Sequence, residues 1–120
     1  MNENSPTPQA PEPYTIDECL IVAAVGYQHG WPSPVAVRDQ LTEISAALRK
    51  KAGSASDEKH RNYNGIKRKY EDLRTHRPSY EGKPTRDARN DLLVIALYEQ
   101  FPEKAIKYAR EARIKLLKEE

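Results

Sequence analysis

One cysteine, Cys19, in a chain of 120 residues excludes an intrachain disulfide and a cysteine-rich zinc site. The five glycines are scattered, so no glycine-rich loop cradles a phosphate. No apolar run approaches the ~18 residues that a membrane-spanning helix needs. The β-branched residues fall inside helix-period patterns and no period-two alternation lasts, which leaves almost no strand signal. Internal repeats are missing as well. The first thirteen residues, MNENSPTPQAPEP, hold four prolines and, beyond Met1, a single aliphatic side chain, Ala10. Such a stretch buries too little apolar surface to offset its ordering entropy and is expected to be a disordered tail. It lacks the basic start and apolar core of a signal peptide, so a cytoplasmic, reducing location is expected. Residues 14–120 are expected to form one helical domain.

The net charge of +2 conceals an uneven distribution. Residues 1–48 carry a net of −5, residues 49–77 a net of +6 and residues 78–120 a net of +1. Attraction to polyanions acts through patches, so the middle quarter of the chain is the segment to examine.

Five helices account for the chain after the tail, an all-α bundle. The first covers about 16–28: Thr15 and Glu18 have capping-box spacing, Tyr14 is placed to staple onto Cys19, and Gly30 is a stop. Its inward residues are expected to be Ile16, Cys19, Leu20, Ala23 and Tyr27, with Cys19 a small core residue rather than a nucleophile. The second covers about 34–51, with Ser33 as cap, Pro34 in the first turn, a stripe of Val37, Leu41, Ile44 and Leu48, and Gly53 as its end. A polar connection, GSASDEKH, follows. The third lies in RNYNGIKRKYEDLRTHRP, residues 61–78, capped by Asn62 or Asn64 and stopped by Pro78. The fourth is expected over about 86–100, with Thr85 as cap and Ala88, Leu92, Ile95 and Ala96 inward. The fifth starts at Pro102, with Ile106, Ala109, Ala112 and Leu116 on one face and alternating charge on the other. Three short helices of which the third is basic match the layout of helix-turn-helix and Myb- or SANT-like modules, although the connection before the third is longer than the strict motif allows.

At ~100° per residue, Tyr63, Ile66, Tyr70 and Leu73 share one side of the third helix. Asn64, Arg68, Glu71, Asp72 and Thr75 lie roughly opposite. If this polar face meets nucleic acid, Arg61, Lys67, Lys69 and Arg74 are expected at phosphates, which position without specifying. Asn64 and Arg68, one turn apart, are the types that bond adenine and guanine edges bidentately. Asn62 and Arg77, at the two ends, complete the expected nucleic-acid-binding set. Gly65 would allow close approach of the backbone, at a cost of ~1 kcal/mol in helix propensity relative to Ala. The alternative is an amphipathic core helix with a solvated charged face. Glu71 and Asp72 favour it, because carboxylates repel phosphate.

The order YTIDECLIVA, LTEISAALRK, RNYNGIKRKYEDL and RPSYEGK resembles the N-terminal, non-nuclease region of McrA-type HNH endonucleases, over roughly residues 14–101. Arg61, Asn62, Gly65, Ile66 and Lys69 stand at the positions of an Arg-Asn-x-x-Gly-(Val/Ile)-x-x-Lys segment, and Pro78, Tyr80 and Gly82 at those of the loop after it. The resemblance implies a DNA-associated module standing apart from the cutting machinery. His29, His60 and His76 are scattered, so no HNH site and no metal site is expected.

Nothing else in the sequence suggests catalysis. The adjacent pairs Asp17–Glu18, Asp57–Glu58 and Glu71–Asp72 diverge by ~100° on a helix and do not form an acid/base pair. The expectation is a non-catalytic, cofactor-free protein whose partner is double-stranded DNA. The alternative is an interaction module or inhibitor, encoded by a phage or mobile element, whose basic patch engages a nuclease or defence complex. Tyr108, Ile114 and Leu117, off the main apolar face of the fifth helix, would suit a homodimer or another protein partner.

Overall fold

The computed structural model describes residues 13–52, 60–85 and 88–118. Among these there is no strand, and five α-helices form the expected all-α architecture: α1 (Ile16–His29), α2 (Arg38–Ala52), α3 (Tyr63–Thr75), α4 (Arg89–Gln100) and α5 (Pro102–Arg113). A 3₁₀ turn, Pro34–Val37, leads into α2, and a π-helical turn, Ile114–Lys118, ends α5. The expected disordered tail, residues 1–13, lies outside the described residues except for Pro13, and Gly53 and most of the polar connection also lie outside them.

α1 is the centre of the bundle. Thr15 and Glu18 close the capping box in both directions, at 3.1 and 2.9 Å. Cys19, Leu20, Ile21, Val22, Ala23, Val25 and Gly26 are all buried, which covers most of the circumference of the helix. Such a helix is hydrophobic nearly all round, and its inward set exceeds the single stripe that its spacing suggests. Ile16, expected inside, is 44% exposed at the first turn.

Two left-handed residues, Gly30 (φ 81°) and Trp31 (φ 58°), end α1 and turn the chain back. The Trp31 N–H donates to Gly26 O at 2.8 Å, and the indole folds over Gly26, where an added Cβ would overlap the ring. Trp31 meets Tyr27 edge-on and lies tilted against Tyr70, while Tyr27 stacks on Tyr98 at 4.2 Å between centroids. This aromatic cluster ties α1, α3 and α4 together.

The stripe Val37, Leu41, Ile44 and Leu48 is buried as expected, Val37 in the 3₁₀ turn and the rest in α2, which packs on α3. α5 lies along α1, with Ala105, Ala109 and Ala112 giving a close approach. Ile106, expected on that inner face, is 50% exposed.

α4 departs most from expectation. Residues 86–87 lie outside the described residues, and the helix begins after Ala88, which is its N-cap and is exposed. Its buried face is Asp91, Val94, Ile95 and Tyr98, whereas Leu92 and Ala96 point outward. Thr85 does not cap it. Its backbone N–H and hydroxyl are engaged with Thr75, and the hydroxyl donates to Asp72 Oδ1 at 2.7 Å. The loop before α4 is thereby pinned to the last turns of α3.

Candidate nucleic-acid interface

α3 is capped by Asn62, whose Oδ1 accepts the Gly65 N–H at 2.8 Å. Ile66, Tyr70 and Leu73 are completely buried and Tyr63 is half-buried, so the helix sits on its aromatic and aliphatic stripe as the spacing indicates. This orientation decides which of the eight expected contact residues reach solvent.

Lys69 does not. It is 8% exposed, and its ammonium lies 2.9 Å from both oxygens of the completely buried Asp91. The Cys19 thiol donates to Asp91 Oδ1 at 3.4 Å. The Cys19 thiol is pushed well up from its ordinary value, first by burial and then by the Asp91 charge. Lys69 lies on the flank of α3 that faces α4, and a buried carboxylate requires a buried cation. It serves the core rather than a phosphate.

Arg61 is also internal, at 5% exposure. Its guanidinium donates to both carboxylate oxygens of Glu18, at 3.1 and 2.9 Å, and to Pro13 O at 3.0 Å. It also stacks 3.9 Å from the Tyr14 ring centroid. The Ser45 hydroxyl donates to Arg61 O at 2.7 Å. Arg61 has a left-handed backbone, φ 50°, so the chain turns sharply into the cap at Asn62. Gly65 has an internal reason too. A Cβ there would lie 3.3 Å from Asn62 Oδ1 and 3.4 Å from the Tyr14 hydroxyl.

Arg74 and Arg77 are partly exposed and already engaged. Arg74 donates to Trp31 O at 3.2 Å and to Glu71 Oε1 at 2.9 Å. Arg77 donates to Arg74 O and to the Ser79 hydroxyl, and its guanidinium lies 5.1 Å from the Trp31 ring centroid.

Asn64, Lys67 and Arg68 remain. All three are exposed, and none has a hydrogen bond or ion pair within the described structure. Together with Glu71, Asp72, Thr85 and Ala88 they line an open groove of about 890 Å³ between α3 and the loop pinned by Thr85. Asp72 is half-buried in its side, and burial raises its carboxyl above the ordinary value. One basic residue outside the expected set joins this face: Arg38 of α2, exposed and 4.9 Å from the ring centroid of Tyr63. Tyr63 is one helical turn before Lys67, so Arg38 lies on the same flank. A tyrosine half-buried at the edge of the core stripe is the only sequence signal for that pairing.

Away from α3, the exposed large apolar residues concentrate on α4, α5 and the residue joining them: Leu92, Leu93, Phe101, Ile106 and Tyr108, with Ile114 just beyond. Leu117 is half-buried against the core rather than free. Among the described residues no three His, Cys, Asp or Glu side chains converge as metal ligands. No helix among them is long and apolar enough to cross a membrane. No protein-family model, curated protein or solved structure matches the chain.

Proposed function

We propose that this protein is a small non-catalytic binder of duplex DNA that presents the outer face of α3. In this reading Asn64 and Arg68 face base edges, and Lys67 and Arg38 meet phosphates. The observation that carries it is selective. The fold uses Arg61, Lys69, Arg74 and Arg77 for its own contacts, yet it leaves Asn64, Lys67 and Arg68 unpaired on one exposed helical face. An amide and a guanidinium one turn apart are the pair that bonds adenine and guanine edges. The biological role that fits is a regulator or a detached recognition module of a restriction or mobile-element system. The relation to McrA-type N-terminal regions belongs to the same proposal. Arg61, Asn62, Gly65, Ile66 and Lys69 all serve the interior here, so such a relation would transmit a scaffold. The intervening Asn64, Lys67 and Arg68 would carry what is read.

Fluorescence anisotropy with a panel of duplexes at several salt concentrations tests this. With two or three phosphate contacts, log K is expected to fall by about 2–3 per decade of salt, at ~0.9 per neutralised phosphate. Lys67→Ala should weaken binding to every sequence alike and lower that slope by about 1, whereas Arg68→Ala should relax sequence preference. Binding indifferent to salt, or none at all, overturns the reading.

A second reading, a protein-docking module, is favoured by the apolar residues exposed on α4 and α5. Sedimentation across a wide concentration range separates the cases. Self-association abolished by Ile106→Glu would place a second copy on that face, and a concentration-independent monomer removes it.

A further inference from the structure

The groove beside α3 is not uniformly basic. Lys67 and Arg68 line it about one helical turn before Asp72, whose carboxylate accepts the Thr85 hydroxyl. Any ligand that fills it must present an anion near Lys67 and a hydrogen-bond donor near Asp72. Nucleic acid offers both, a phosphate on its backbone and amino groups on its base edges.

The two carboxylates of the groove differ. Glu71 is committed, because Arg74 donates to its Oε1 at 2.9 Å and is itself anchored on Trp31 O. Asp72 accepts one hydrogen bond, from Thr85 to Oδ1. Its Oδ2 lies 3.8 Å from the Lys69 ammonium, too far for a hydrogen bond. A carboxylate has about four acceptor directions, so Asp72 has capacity to spare. It is held still by Thr85, faces the groove and is backed by a buried cation.

We propose that Asp72 reads the exocyclic amino group of a cytosine, which makes Asn64, Arg68 and Asp72 a single base-reading row along α3. The inference rests on the duplex-DNA reading above. The three residues are spaced i, i+4 and i+8, about 6 Å apart along the axis, or roughly two base-pair steps per turn. Cytosine fits better than adenine. In the major groove it shows only the N4 amino donor, whereas adenine sets its N7 acceptor beside N6, opposite the second carboxylate oxygen. The carboxylate also repels any phosphate there, which orients the backbone toward the Lys67 and Arg38 flank.

The test uses the full chain and a duplex library, with parent and Asp72→Asn compared at fixed salt. The parent should prefer cytosine at one position by about 5- to 100-fold. It should lose that preference when the cytosine is replaced by pyrimidin-2-one, which lacks the amino group. Asp72→Asn should shift the same position toward adenine and keep the salt slope. Melting of each variant, followed by circular dichroism, checks folding. Should Asp72→Asn unfold, Asp72→Glu keeps the charge, moves the carboxylate by one methylene and should lose the cytosine preference. A uniform rise in affinity for all sequences, or an unchanged preference, overturns the inference and leaves the DNA reading standing. A parent that binds no duplex overturns both.

Discussion

Lys69 and Asp91 form the interaction whose loss should be felt most. With Asp91 completely buried and both its oxygens 2.9 Å from the ammonium, removal of one partner leaves an uncompensated interior charge. Lys69→Met is expected to cost about 3–5 kcal/mol, and Lys69→Met with Asp91→Leu to recover most of it, since paired apolar replacement of a buried ion pair is often close to neutral. Urea titration of the parent, the single and the double variant measures this. An additive double variant would show that the two charges act independently. At this scale little was legible. A lysine in a basic run has nothing in its own sequence to mark it as buried, and its carboxylate partner lies 22 residues away. Arg61 poses the same difficulty, because its partner Glu18 lies 43 residues upstream, in α1. The outward placement of Asn64 and Arg68 is legible because the stripe of Ile66, Tyr70 and Leu73 fixes the opposite side of α3.

Elements carry more local signal than the burial of single residues does, and the differences from expectation have physical causes. Helix starts with a capping box, a proline at the first turn or an asparagine cap carry their own signal, and α1, the 3₁₀ entry to α2, and α3 begin where those signals stand. α4 has no such start, and of its expected face Ala88, Leu92, Ile95 and Ala96 the fold buries only Ile95. Asp91 had to turn inward to meet Lys69, and Tyr98 to stack on Tyr27, so Leu92 and Ala96 rotated out. The junction after α1 offers a direct test. Gly26→Ala drives a methyl group into the Trp31 ring and should cost about 3 kcal/mol, the upper range for overpacking. Trp31 is the only tryptophan, so its emission should shift to the red in the folded variant. An unchanged spectrum and unchanged stability would mean that the indole moves aside without cost.

Over the whole molecule, stability and the proposed binding reside in different side chains of one segment. Lys67→Ala and Arg68→Ala, both exposed, are expected to leave unfolding free energy within about 0.5 kcal/mol of the parent. Arg61→Ala strands Glu18 and should cost about 3 kcal/mol, as breaking a buried pair does. Parallel denaturation and DNA titration of the three variants checks this. If Arg61→Ala remained fully stable and lost only DNA affinity, the division between interior and outer bases would be wrong. Residues 49–77 carry a net of +6, but a net charge does not say which bases reach the surface. Packing divides them, and only three dimensions reveal where.

The Arg61 contacts also have a mechanical meaning. The described chain enters at Pro13, whose carbonyl is held by the same guanidinium that clamps Glu18 and lies on Tyr14, immediately before the cap of α3. Tension applied at Pro13 therefore loads the start of α1 through the chain itself and the root of α3 through the Arg61 guanidinium. The guanidinium thus works as a rivet through three parts of the fold: the entry of the described chain, the first turn of α1 and the turn before α3.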